Sequence, residues 1–236
     1  MEPIHRAGLA DKAARLLREE ILKGRLTAGM RLNENDLAQE LDISRAPVRE
    51  ALMQLERKGL VISERYRGAR VVLLAESDIE ELVSLRSALE PLAWARACQT
   101  ATAEDLDALD RIVDRMRESI TADAHEALVL LDIEFHDRVF QAASHERLYA
   151  AWSAIVFQVA LYLLRRRVTT DDYHRIVVEE HQQLVTVLRA RDEATARVGI
   201  TAHISAAYDR LTSTYESVRE LPRTDQMSDR FKEFHV

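Results

Sequence analysis

The chain has 236 residues, 47% of them hydrophobic and 31% charged, a composition typical of a globular protein with a sizeable core. The formal charge of −7 gives no indication of a nucleic-acid partner, and the single cysteine, Cys98, excludes a disulfide framework and a cysteine-rich zinc module. The first ten residues lack the apolar core of a signal peptide, and no run of about 18 apolar residues occurs. We therefore expect a cytoplasmic protein with no membrane partner.

The net charge and the glycine content both change near residue 75. Residues 1–75 contain 14 Lys and Arg against 11 Asp and Glu, whereas residues 76–236 contain 19 against 29. Five of the six glycines lie in the first 68 residues. We therefore predict a basic, turn-rich binding domain at 1–75, a helical domain at 76–220 and a flexible tail at 221–236. Ser77 is the predicted cap of the first helix of the helical domain.

The first 75 residues predict three helices followed by a β-hairpin. The predicted elements are helices at 11–23, 33–41 and 45–58 and strands at 60–64 and 69–73. Ser44 is a favourable N-cap for the third helix, and Pro47 falls in its first turn, where no N–H is needed. This order of elements is that of a winged helix-turn-helix.

Basic side chains group on two of these elements. Arg45 and Arg49 lie four residues apart on the exposed face of the third helix, whose N-terminus suits phosphate. Arginine is also the residue type that binds guanine O6 and N7 through two hydrogen bonds. Arg67 and Arg70 flank the predicted hairpin turn, where Gly68 allows the backbone to approach DNA closely. Exposed arginines usually form no more than a solvated face, but two basic elements that can touch one duplex favour DNA binding.

The rest of the chain predicts six helices and neither a strand nor a glycine-rich phosphate loop. The apolar periodicity runs through 82–92, 106–120, 128–140, 148–164, 173–188 and 194–218. The intervening loops are short and polar, which is typical of an antiparallel bundle. The predicted fold class is therefore mainly α, with an N-terminal winged helix-turn-helix and a C-terminal bundle of six or seven helices.

Four side chains of the helical domain predict a metal site. Asp132 and His136 lie four apart in an otherwise apolar helix, so both point the same way. His181 and His203 are equally far from Asp192, the predicted cap between two helices, and face each other if these helices form a hairpin. One carboxylate and three imidazoles suit Zn²⁺, Ni²⁺ or Mn²⁺. Spacing alone leaves open the alternative that each histidine is an ordinary core or surface residue.

The segments DLA at 36–38, SRAPVREAL at 44–52 and GLV at 59–61 resemble the DNA-binding domain of the GntR family of bacterial transcription regulators. The remaining chain, to about residue 219, resembles the all-helical FCD-type effector domain of the FadR subfamily. One departure is Thr27-Ala28-Gly29, where the family usually has a proline before the glycine. A second is Arg191, where a turn glycine is common.

The resemblance implies roles for particular residues in DNA binding. Arg45 and Arg49 would read bases beside the helix cap Ser44, Arg31 would contact phosphate or base, and Gly68 would sit at the wing tip against the minor groove. The family also implies a homodimer, most simply a repressor, on a pseudo-palindromic double-stranded operator.

In the helical domain, the resemblance implies that Asp132, His136, His181 and His203 bind a divalent metal, with Zn²⁺ the ion we expect first. Arg86 matches a position that often points into the effector cavity, so a small carboxylate is the expected effector. An intrahelical salt bridge to Glu90 is the alternative for Arg86. Two other functions remain open, a metal-dependent hydrolase with a DNA-binding appendage and a regulator with a purely structural metal. We expect no enzyme, because no glutamate is placed as a general base.

Overall fold

The computed structural model describes residues 4–64, 68–121, 125–165 and 173–213. Two compact units divide the chain between Leu73 and Leu74. The predicted tail at 221–236 lies outside the described residues, as does Arg67. Each unit is described by itself.

The first unit contains three helices and a small antiparallel sheet. Its elements are α1 (Ile4–Leu22), β1 (Arg31–Leu32), α2 (Glu34–Glu40), α3 (Arg45–Arg57), β2 (Val61–Glu64) and β3 (Gly68–Val71). The sheet order is β1-β3-β2. The side-chain oxygen of Asn33 accepts a hydrogen bond from the N–H of Asn35 at 2.8 Å and so caps α2. The predicted winged helix-turn-helix is confirmed, and β1 adds a third strand that the sequence did not predict.

Gly68 occupies a different place from the one the sequence predicted. We placed it in the hairpin turn, whereas it is the first residue of β3 and pairs with Glu64 of β2. Its φ is +84°, and a Cβ atom there would lie 3.0 Å from the carbonyl oxygen of Leu32. Glycine is therefore needed at this position because β1 passes close to the backbone of β3.

The second unit contains six helices in its described part, in the order predicted. They are α4 (Glu76–Thr100), α5 (Ala103–Thr121), α6 (His125–Ala142), α7 (Glu146–Arg165), α8 (Tyr173–Arg189) and α9 (Glu193–Ser213). Helix α4 packs on α9, and α5 packs between α6 and α8. The core between them includes Trp94, Met116 and Phe135, which are fully buried. The predicted cap Ser77 is wrong, because α4 begins at Glu76 and Asp78 accepts a hydrogen bond from the N–H of Ala75.

Two local features of this unit affect its interpretation. Residues 146–164 of α7 are long and apolar enough to cross a membrane by length and composition alone, and 44% of this stretch is buried inside the described structure. Arg191, in the turn before α9, has a φ of +59°, which explains why glycine is common there. Its guanidinium donates to the carbonyl oxygens of Cys98 and Ala101 and so caps the end of α4.

Candidate functional site

Four side chains predicted to bind a metal lie together inside the helical unit. Asp132 and His136 come from α6, His181 from α8 and His203 from α9, and one potential ligand atom from each lies within 4.8 Å of all the others. His136 and His181 are fully buried, and His203 is 7% exposed. The α8–α9 hairpin forms as predicted, with Asp192 capping α9 through the N–H of Thr195. The structure therefore brings together all four residues.

Each histidine is held on its outer side by a different acceptor. Nδ1 of His203 lies 2.8 Å from a carboxylate oxygen of Glu180, and Nδ1 of His181 lies 2.7 Å from the carbonyl oxygen of Val177. Nδ1 of His136 lies 2.7 Å from a carboxylate oxygen of Glu90. At His203 and His181 the acceptor at Nδ1 assigns the proton to that nitrogen and directs the lone pair of Nε2 inward, whereas the contact between His136 and Glu90 is close but lacks hydrogen-bond geometry.

The donor set fits a divalent cation. With Nδ1 of His181 donating to Val177, its unprotonated Nε2 faces Asp132 Oδ1 at 3.1 Å, so two acceptors oppose each other. His136 Nε2 lies 4.0 Å from the same oxygen. A cation placed between these atoms would attract both lone pairs and so remove their mutual repulsion. Imidazole nitrogen and carboxylate oxygen are ligands that zinc and its neighbours in the first transition series accept.

The charges of the site favour this interpretation. Burial of Asp132 opposes its ionisation, but the neighbouring imidazoles of His181, His136 and His203 outweigh burial and hold its pKa below the ordinary value. Burial lowers the pKa of His203 to about 4, against the opposing effect of Glu180. At neutral pH the aspartate is therefore ionised and His203 is neutral, which are the forms that bind metal.

A cavity opens beside the four side chains, and two arginines line it. Its lining includes Arg86 from α4 and Arg210 from α9, together with Asp132 and His203. Arg86 is 4% exposed, and its Nε donates to Glu90 at 2.5 Å, so the salt bridge considered as the alternative for Arg86 is present. Its Nη2 also lies 3.5 Å from Nε2 of His136. Arg86 therefore makes this salt bridge and also borders the cavity.

Helix α3 presents its first turns to solvent. The side chains of Arg45 and Arg49 are 60% and 59% exposed and lie on one face. Glu34, at the start of α2, accepts hydrogen bonds from Nε and Nη2 of Arg49 at 3.0 and 2.9 Å and from Arg45 at 3.5 Å. These bonds lower the pKa of Glu34, with the hydrogen bond from Arg49 as the largest cause. The two arginines are therefore ordered by a carboxylate between them.

The other predicted DNA-binding residues lie on neighbouring elements. Arg31 is exposed on β1, directly opposite Arg70 of β3. Arg70 is half-buried, and its Nη1 donates to the carbonyl oxygen of Gly29. Ser44 is the N-cap residue of α3, but its side chain makes no capping hydrogen bond.

Family comparisons assign both units. Residues 9–71 match "Bacterial regulatory proteins, gntR family", and residues 81–206, more than half of the chain, match the FCD domain. The chain is 30% identical over 203 residues to a probable D-xylose utilization operon transcriptional repressor of Paenarthrobacter nicotinovorans, covering 85% of this chain and 88% of the relative. The chain belongs to the GntR family of transcriptional regulators.

Further relatives of this GntR-family regulator agree with that assignment. A gluconate operon transcriptional repressor of Bacillus licheniformis is 27% identical over 80% of this chain and 79% of its own length. A putative GntR regulator from Rhodococcus sp. RHA1 has a TM-score of 0.74 at 22% identity and covers 87% of this chain and 98% of its own, which shows the shared fold. Both family models and these relatives describe transcriptional regulators rather than enzymes.

The regulator also contains functional candidates that the sequence did not predict. Glu180 holds His203, and Arg210 lines the cavity. One signal was present for Arg210, which follows His203 at seven residues on one helix face, and none was present for Glu180. Glu134, on the same helix as Asp132 and His136, is 47% exposed and pairs with Arg115 at 2.7 Å.

Proposed function

We propose that this regulator senses a small carboxylate at a divalent metal in its helical unit and changes its affinity for DNA in response. The observation that carries the proposal is the convergence of one aspartate and three histidines, each histidine held on its outer side, beside a cavity that Arg86 lines. Asp132, His136, His181 and His203 would hold the ion. When bound, the ion supplies a positive centre that attracts a carboxylate oxygen.

The proposed ion is Zn²⁺, with Ni²⁺ and Mn²⁺ as the alternatives. Three imidazole nitrogens and one carboxylate oxygen are ligands that all three ions accept. In this site the chain orders its own ligands, because Glu180 and the carbonyl of Val177 fix which nitrogen of His203 and His181 faces inward, and Glu90 lies against Nδ1 of His136. The role proposed for Arg86 is to pair with the carboxylate of the effector, as a buried guanidinium next to the ligand His136 can.

On the DNA side, we propose that residues 1–75 bind a pseudo-palindromic operator as part of a cytoplasmic homodimer and that residues 76–220 form the sensing domain. Arg45 and Arg49 would read bases, and Arg31 would contact phosphate or base. Ser44, Arg67, Gly68 and Arg70 would contact the backbone or the minor groove. Two modules are needed because one winged helix buries too little surface for tight, specific binding. The relatives are named as operon repressors, which supports repression as the proposed direction of control.

The experiment compares metal-loaded and chelated full-length protein. An operator is selected from a random duplex library, and its affinity is measured by fluorescence anisotropy with and without a panel of small carboxylates. We expect an acid that changes operator affinity at least tenfold for the metal-loaded protein and not for the chelated protein. Operator affinity that no acid changes would support the purely structural metal and contradict the proposal.

A further inference from the structure

Glu34, the first residue of α2, contacts both arginines that we expect to read bases. Nε and Nη2 of Arg49 donate to its two carboxylate oxygens at 3.0 and 2.9 Å. Nη2 of Arg45 lies 3.5 Å from one of these oxygens, which is the outer limit of a hydrogen bond. Glu34 therefore holds Arg49 through two good hydrogen bonds and Arg45 only weakly.

The two bonds occupy one edge of the Arg49 guanidinium and leave its end open. A guanidinium has five N–H donors in a planar fork, and Glu34 accepts from Nε and from one N–H of Nη2. Within the described residues Nη1 makes no hydrogen bond or ion pair, so both of its N–H groups and the second N–H of Nη2 remain available. Nη1 and Nη2 form the end of the fork, and two parallel N–H groups at that end match guanine O6 and N7.

The exposure and charge of the pair suit a guanidinium that is held ready for a partner. The side chain of Arg49 is 59% exposed and that of Glu34 is 22% exposed, so the carboxylate is the more shielded of the two. An arginine that is already fixed loses less rotamer freedom when it binds DNA. The adjacent negative charge also weakens the attraction of Arg49 for phosphate more than its hydrogen bonds to the neutral acceptors of guanine.

Resting on the proposed function, we propose that Glu34 is a positioning residue that determines sequence specificity by presenting the Nη1–Nη2 end of Arg49 to guanine. It acts through Arg49 and does not itself read a base. Because Arg49 and Glu34 together have no net formal charge, Arg49 contributes less to phosphate binding than a lone arginine would, which lowers the affinity for non-specific DNA. Glu34 thus lowers the total affinity for DNA and raises the ratio of operator affinity to random-duplex affinity.

Three variants separate the position of the carboxylate from its charge. Glu34→Asp keeps the charge but shortens the side chain by one methylene, whereas Glu34→Gln keeps the length and removes the charge. Glu50→Gln is the matched control, because it removes the same charge from the exposed residue that follows Arg49 on α3. Each full-length variant is titrated by fluorescence anisotropy, at several salt concentrations, with random duplex and with the operator selected by the parent protein.

We expect Glu34→Asp to reduce the ratio of operator affinity to random-duplex affinity by about fivefold or more, with random-duplex affinity within about twofold of the parent. Glu34→Gln should also reduce this ratio, and it should raise random-duplex affinity and steepen its dependence on log salt by up to about one unit per module. Glu50→Gln should leave the ratio within about twofold. In an Arg49→Ala background, neither change at Glu34 should reduce the ratio further, because Glu34 acts through Arg49. The urea unfolding midpoints should stay close to that of the parent, since the pair is exposed.

The outcomes separate this inference from the proposed function. An unchanged ratio in both Glu34 variants, or a further loss of ratio when they are combined with Arg49→Ala, would overturn the inference. If Arg49→Ala alone loses discrimination in that case, base reading by Arg49 still stands. Full discrimination in Arg49→Ala would overturn both the inference and the base-reading role proposed for Arg49.

Discussion

Each unit contains an ion pair between an arginine and a glutamate, and the two ion pairs differ in their exposure to solvent. Arg49 and Glu34 lie at the surface, with side-chain exposures of 59% and 22%. Arg86 and Glu90 lie in the interior, with exposures of 5% and 0%. Water screens the first pair, so its contribution to stability is small and its guanidinium remains accessible to a partner. The second pair is buried away from water, so removing one partner leaves the other as a buried charge without compensation.

The comparison shows that the same two residue types serve different purposes according to burial. Burial opposes the charge on Glu90, but Arg86 and His136 outweigh it and lower its pKa to about 2. Ionised Glu90 then holds a predicted metal ligand, whereas ionised Glu34 orders two arginines that face solvent. Substitutions in the buried pair should therefore change stability and metal binding, and substitutions in the surface pair should change DNA binding.

The largest effect is expected from Arg86→Gln. It leaves Glu90 buried without its ion-pair partner, and we expect a loss of about 3–5 kcal/mol in the free energy of unfolding, measured by urea titration of metal-free protein. Arg115→Gln breaks the exposed pair with Glu134 in the same unit and should cost less than about 0.5 kcal/mol. Equal losses in the two variants would contradict the distinction between buried and exposed pairs.

A smaller effect, confined to DNA binding, is expected from Arg49→Ala. Loss of a two-pronged contact to guanine should reduce discrimination between operator and random duplex by about 1–3 kcal/mol per half-site, measured by competition anisotropy. The free energy of unfolding should change by less than about 0.5 kcal/mol. Arg57→Ala, at the other end of α3, serves as the control and should keep discrimination. Full discrimination in Arg49→Ala would show that α3 does not read bases through this residue.

The smallest effect should follow from Glu180→Gln. The change weakens the orientation of His203, and we expect zinc affinity to fall about 10–100-fold with the fold retained, measured by competition with a zinc chelator. Glu179→Gln alters the neighbouring residue, which is exposed and pairs with Arg175, and should leave zinc affinity within twofold. If both variants bind zinc like the parent protein, the outer contact to His203 does not matter for metal binding.

Helical periodicity and motif spacing predicted most of the fold. The six helices of the second unit follow from apolar stripes, and the facing of His181 and His203 follows from their equal distance to Asp192. Strand β1 could not be predicted, because two residues carry no alternation and form a strand only through pairing with Ala69 and Arg70. The prediction of Ser77 as the cap of α4 was wrong, because the helix begins one residue earlier, where Asp78 accepts a hydrogen bond from the N–H of Ala75.

The candidate site was predicted only as far as its four inner residues. Their spacing places them on helix faces, but the choice of outer partners depends on how the helices pack. Glu180, rather than the adjacent Glu179, reaches His203, and nothing in the sequence distinguishes the two. Arg210 likewise becomes a cavity residue only because α9 packs with that face inward.

Both tryptophans of the chain, Trp94 and Trp152, belong to the helical unit. The indole of Trp152 stacks on Phe140 with ring centroids 4.7 Å apart, and it lies 6.4 Å from the ring of His136. The protein thus contains its own optical probe beside the predicted metal ligands. Tryptophan fluorescence of the unlabelled protein therefore reports on the helical unit, because the first 73 residues contain no tryptophan.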